Sequence, residues 1–204
     1  MCVPASLPPS AHFDTSRQSL PSTPRITSLA WLIYGPLTLG GLLWARMSGG
    51  RWAWSLDAAW MAAPFRTRLA VSLGLGLGVA LVVVALTPRL VERAEWARAL
   101  HAELKTIIAP LSKPEITMLA LASGVAEEIF FRGAMQPVLG LVVASLIFGA
   151  FHLGPRKAFP AWAIWAFALG LLFGIIFELT GTLWGPVLAH VWINQRNMLF
   201  LRRH

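Results

Sequence analysis

Among its 204 residues the chain has 56% apolar and only 13% charged residues, whereas a soluble domain carries about 25% charged. That shortfall points to a membrane protein, and the ten tryptophans suit the membrane–water interface. The net charge of +8 is scattered in short segments between apolar runs, a pattern for phospholipid headgroups rather than nucleic acid, and the lone cysteine, Cys2, excludes an intramolecular disulfide and a cysteine-based metal site.

Residues 1–25 are rich in Pro and Ser and lack the apolar stretch of a signal peptide, so they are expected to form a disordered tail. Two N-terminal transmembrane helices are expected within 26–87. The first, Ile26 to Ala45, contains no charge and reaches about 30 Å as a helix, the thickness of the hydrocarbon core. Pro36 is placed to kink it. The second, Leu69 to Leu86, carries Gly74, Gly76 and Gly78, which allow close approach of a neighbouring helix.

Residues 88–114 change character. Val91, Ala94, Ala97, Leu100, Leu104, Ile107 and Leu111 recur at helical spacing among charged residues, which predicts an amphipathic helix lying on the membrane surface. Four further segments follow within 115–201: Ile116 to Gln136, Val138 to His152, Ala158 to Thr180 and Thr182 to Leu201. Pro137, Gly154-Pro155 and Gly181 mark their turns. The expected fold is therefore all-α, a polytopic membrane bundle of about six segments plus one interfacial amphipathic helix. Basic residues such as Arg89, Arg93, Arg98, Lys157, Arg196 and Arg203 concentrate on one side of that layout, which places both termini in the cytoplasm.

The hexapeptide E-E-I-F-F-R, Glu127 to Arg132, lies inside an apolar segment. An ionisable side chain at mid-helix costs about 2.5–3.5 kcal/mol on insertion scales, so three together need partners or a wet cavity. Residues four apart are about 40° apart around a helix and adjacent residues about 100° apart. Glu128 and Arg132 thus share a face and can pair, while Glu127 is left to meet a group from another helix.

Candidate partners come from two other segments. His152 ends the run F-G-A-F-H, one turn after Phe148, and His190 is followed one turn later by Asn194. Counted from the turns, Glu127, His190 and Asn194 lie at matching depth. Peptide hydrolysis needs a base for water and donors for the oxyanion. Glu127 and His152 can act as the first, His190 and Asn194 as the second. Glu127, His152 and His190 are equally a zinc-type donor set, although the H-E-x-x-H helix is absent. Glu178, near the end of its segment, is read as structural.

These residues resemble the CPBP family, also called the ABI or CAAX prenyl protease type II-like family. Its pattern is E-E-x-x-x-R, then F-x-x-x-H, then H-x-x-x-N. Here it is Glu127-Glu128 with Arg132, Phe148 with His152, and His190 with Asn194, and the lead-in Thr180 to His190 is also similar. The resemblance covers about 115–200. It implies a glutamate-type intramembrane endopeptidase in which Glu127 and His152 activate water, His190 and Asn194 form the oxyanion site, and Glu128 and Arg132 organise the helix. It implies no cofactor, with zinc left open, and a membrane-anchored protein or peptide as partner. The substrate is expected to be a C-terminal anchor or sorting signal or a CAAX-like C-terminus, and the setting a bacterial inner membrane. The alternative is a non-catalytic immunity or scaffold protein that binds through the same polar cavity.

Overall fold

The computed structural model describes residues 24–204 except 58 and 156. The expected tail therefore lies outside the described residues up to residue 23, and Pro24 and Arg25, expected to belong to it, instead begin the first helix. The described residues form helices and connecting turns, with one isolated β-bridge between Ser55 and Thr182. Helix α1 spans Pro24–Met47, α2 Phe65–Arg93, α3 Glu95–Ile108 and α4 Lys113–Glu127. A π-helical segment, Glu128–Met135, continues α4 and leads into α5, Gln136–Leu139. Then come α6 (Leu141–Ala150), α7 (Phe159–Thr180) and α8 (Trp184–Arg203).

Among the described residues, three helical stretches are long and apolar enough to cross a membrane: Ser28–Met47, Phe65–Arg93 and Phe159–Thr180. Their outer faces carry Leu32, Val82 and Ile164 at 71%, 58% and 69% exposure. In water such a surface would be an aggregation hazard, whereas against lipid tails it is matched. The chain is built as an integral membrane protein.

Several boundaries differ from the sequence expectation. The turn placed at Pro137 falls instead at Gly140, whose φ of +84° suits glycine. Pro137 is in the first turn of α5, where its missing N–H is harmless. Helix α2 also runs well past Leu86, through Pro88 to Arg93. The amphipathic segment becomes the separate helix α3, with Ala97, Leu100 and Ile108 buried. Part of its apolar face thus packs on the protein, while Ile107 of the same stripe is 56% exposed.

Packing is set by close backbone approaches. A Cβ on Gly76 would collide with the backbone of Gly185, and one on Gly124 would lie 2.9 Å from Val191 N. Helices α2 and α4 can thus approach α8 without a side chain between them. Gly74 and Gly78, expected to share this role, have nothing within 4 Å of such an added atom.

At the end of the bundle that carries the α7–α8 turn, the loop before α2 clamps that turn. Leu56 N donates to Gly181 O at 3.1 Å, Leu183 N to Trp54 O at 3.2 Å and Trp60 N to Glu178 O at 2.9 Å. Arg68 adds a guanidinium hydrogen bond to Thr180 O at 3.1 Å. Gly181 itself has φ +65°, the left-handed conformation that closes α7.

Candidate active site

The site is organised around the junction of α4 and the π segment. In this segment the helix widens by one residue, so that Gln136 N–H reaches the carbonyl of Phe131, five positions back. Gln136 then ties the segment to α7, its Nε2 donating to Gly174 O and to Glu178 Oε1, both at 3.1 Å. This gives Glu178 a structural contact.

Glu128 and Arg132 lie behind the site and are 0% and 1% exposed. Arg132 donates to Glu128 Oε1 at 2.9 Å, as the four-residue spacing implies. The guanidinium also stacks over Phe148, with its carbon 4.1 Å from the ring centroid. A charge this deep is tolerable only when paired, and the carboxylate and the ring face supply the pairing.

Glu128 does more than hold Arg132. The same Oε1 lies 2.7 Å from Nδ1 of His190. The angular reading left Glu127 as the carboxylate free to meet another helix; in the structure both carboxylates meet His190, and the hydrogen bond goes to Glu128. Glu127 Oε2 is 3.7 Å from His190 Nε2 and makes no hydrogen bond within the described residues. The imidazole is thus braced from behind by Glu128 and faces Glu127 with its other nitrogen.

His152, at the C-terminal end of α6, is held in the same manner. Its Nδ1 lies 2.8 Å from the Phe148 carbonyl, which can only accept, so Nδ1 carries the proton and a neutral ring presents a bare Nε2. Trp162 packs edge-on against the ring at 5.0 Å. Phe148 lies between the two histidines, 4.7 Å from the His152 ring and 6.0 Å from that of His190. Asn194, one turn after His190, donates from Nδ2 to Ser123 Oγ at 2.9 Å.

Glu127, Phe148, His152, His190 and Asn194 all line one cavity of about 330 Å³. Glu128 and Arg132 are not among its lining residues. The remaining wall is largely apolar and includes Trp96, Leu100 and Leu104 of α3 and Phe173 of α7. Helix α3 therefore covers the site. Polar residues that the sequence reading missed also face the cavity, among them Tyr34 from α1, Ser123 from α4, Thr87 from α2, His101 from α3 and Asn197 from α8. Ser123 stands one turn before Glu127, and Tyr34 is the single tyrosine of the chain, placed mid-span. Both carried a faint signal, a hydroxyl inside an apolar run.

Among the described residues, no three or more His, Cys, Asp or Glu side chains are grouped so as to hold a metal ion. The trio Glu127, His152 and His190 shares a cavity without forming such a group.

Residues 110–195 match the family model of type II CAAX prenyl endopeptidase Rce1-like domains. This region resembles an Rce1-like domain. It begins just before α4 and ends within α8, so it contains every candidate residue of the motifs and leaves α1, α2 and α3 outside. The chain is also 38% identical over 92 residues to an uncharacterized protein, YpbD, of Bacillus subtilis (strain 168). That alignment covers 44% of this chain, and the chain spans about half the length of that relative, 47%. No solved structure matches the chain.

Proposed function

We propose that the protein is an intramembrane endopeptidase that hydrolyses a peptide bond in or beside a membrane segment of another protein. The supporting observation is the convergence of Glu127, His152, His190 and Asn194 on one largely apolar cavity, with Glu128 and Arg132 paired behind it. The resemblance to Rce1-like domains supports the same reaction class.

In this reading a water molecule sits against Glu127 Oε2, the carboxylate oxygen that has no protein partner. Glu127 and the bare Nε2 of His152 accept its hydrogens and orient a lone pair toward the scissile carbonyl carbon. As the carbon–oxygen bond forms, Glu127 takes the proton. The oxyanion is met by the second Nδ2–H of Asn194, and by His190 when its Nε2 is protonated. Collapse of the tetrahedral intermediate breaks the carbon–nitrogen bond, and the Glu127 carboxyl returns its proton to the leaving nitrogen. The products are a carboxylate and an amine. No metal is required.

Glu128 and Arg132 position His190 and touch no substrate. The apolar wall suits an extended, apolar stretch of substrate, such as a C-terminal anchor or sorting signal or a CAAX-like C-terminus. Basic residues support the orientation. The C-terminal ends of α2 and α8, the end of α3 and the start of α4 gather at one end of the bundle, with Arg93, Lys105, Lys113 and Arg203 among them. The positive-inside rule assigns that end to the cytoplasm, consistent with a bacterial inner membrane and both termini inside.

The test uses the purified chain in lipid, incubated with membranes from cells that lack it. New protein termini should appear with wild type, persist with a chelator, and vanish with Glu127→Gln. Loss of cleavage on chelation and its return with zinc would replace this reading by a metal-dependent one. Equal products from wild type and Glu127→Gln would remove the hydrolase reading.

A further inference from the structure

Around the cavity, acceptors outnumber donors. His190 Nδ1 is committed to Glu128 at 2.7 Å and His152 Nδ1 to the Phe148 carbonyl at 2.8 Å. While neutral, both rings show the cavity a nitrogen without a proton. Glu127 is a further acceptor. Asn194 has already given one N–H to Ser123. Of the four side chains in the proposed reaction, one N–H of Asn194 is then the donor that needs no change of protonation, and His190 adds another only when its Nε2 carries a proton. A tetrahedral oxyanion is ordinarily held by more than one donor, each preorganised.

Tyr34 fills that gap. It comes from α1, which packs against both α4 and the π segment. Its side chain lines the same cavity as Glu127 and Asn194. Ser123 lines that cavity too, from α4, the helix against which α1 packs. Ser123 is the hub of this corner. Its own hydroxyl donates to the Ala120 carbonyl at 3.3 Å and accepts from Asn194 Nδ2 at 2.9 Å, which leaves a lone pair for one further donor. Asn194 and Tyr34 are thus two donors on the lining of one cavity. Trp162 also lines the wall, but its ring is packed against His152.

Building on the hydrolase reading, we propose that Tyr34 is the second oxyanion donor, a catalytic residue contributed by α1 from outside the Rce1-like region. The phenol hydrogen-bonds the carbonyl oxygen as it becomes negative. It keeps its proton throughout, so the proton inventory of Glu127 and the leaving nitrogen is unchanged.

Tyr34→Phe removes only the oxygen. With membranes from cells lacking the chain as the substrate pool, its rate per folded molecule should fall about 100- to 1,000-fold, the usual loss for one oxyanion donor. The loss should appear in kcat rather than KM, with abundance and Tm unchanged. Because Tyr34 is the single tyrosine, 3-fluorotyrosine gives one fluorine resonance, which should shift in Ser123→Ala and in Asn194→Ala. A Tyr34→Phe rate within about threefold of wild type, or a resonance indifferent to both substitutions, would overturn the assignment. If Glu127→Gln abolishes cleavage and Tyr34→Phe does not, the hydrolase stands and Tyr34 alone is wrong. If wild type and Glu127→Gln give the same products, the hydrolase reading fails and this assignment fails with it.

Discussion

Replacing Arg132 with methionine removes a guanidinium that is 1% exposed, 2.9 Å from Glu128 Oε1 and 4.1 Å from the centroid of Phe148. Methionine refills much of the volume, so the loss is electrostatic more than steric. Breaking one side of a buried ion pair costs about 3–5 kcal/mol, because the remaining charge is stranded. The ring contact adds up to about 2 kcal/mol when desolvated. His190 works in the other direction: its Nδ1 remains 2.7 Å from the same carboxylate oxygen and keeps one hydrogen bond on Glu128. The net expectation is about 3–5 kcal/mol, which for a chain of this length lowers Tm by roughly 6–20 °C. Thermal unfolding of the purified chain in one fixed detergent, followed by near-UV circular dichroism, measures it. The double variant Glu128→Gln with Arg132→Met removes the stranded charge and should recover at least half of the fall. A single-variant Tm within about 2 °C of wild type would show that the pair is not holding this helix. A double variant no better than the single would show that stranded charge is not the cause.

Three further outcomes follow from the packing. Gly76→Ala should destabilise by about 1–3 kcal/mol by forcing α2 off α8, while Gly74→Ala, which meets open space, should be neutral or stabilising by up to about 1 kcal/mol; the same unfolding assay compares them. Gly124→Ala places a methyl 2.9 Å from Val191 N, and so displaces His190 from Glu127 and Asn194 from Ser123. Cleavage should fall more than tenfold even in the fraction that remains folded, since misplacing catalytic groups by about 1 Å can cost 100-fold. Gln136→Leu removes two hydrogen bonds that tie the π segment to α7, and should cost about 1–3 kcal/mol in the unfolding assay.

Where contacts are local, the sequence carried them. The Glu128–Arg132 pair follows from a four-residue spacing, and helical content follows from uninterrupted apolar runs. Long-range contacts were less legible. Which carboxylate receives His190 depends on how α8 is rotated against α4, and that rotation is fixed by Gly76, Gly124 and Gly185, on three different helices. Pro137 read as a stop because proline usually ends a helix; here the helix continues to Leu139 because the proline occupies a first turn. The apolar stripe of α3 was visible, but a stripe does not say whether it faces lipid or protein. The clamp between Trp54, Leu56, Trp60 and the α7–α8 turn uses backbone groups, which leave no mark in residue identity. Tyr34 and Ser123 lie in the same category of weak signals: each is one hydroxyl in an apolar run, and only tertiary packing brings them to Asn194.

In the proposed reaction Glu127 drives peptide hydrolysis, while Glu128 positions His190. The most direct measurement compares wild type, Glu127→Gln and Glu128→Gln in the native cell at matched abundance, following the intact masses of C-terminally anchored membrane proteins. The proposed roles require a truncated product in wild type, its complete loss with Glu127→Gln, and a reduced yield with Glu128→Gln, which keeps an oxygen to accept from His190. Unchanged products in both variants, with the host phenotype intact, would contradict them and identify the cavity as a binding site that does not cut.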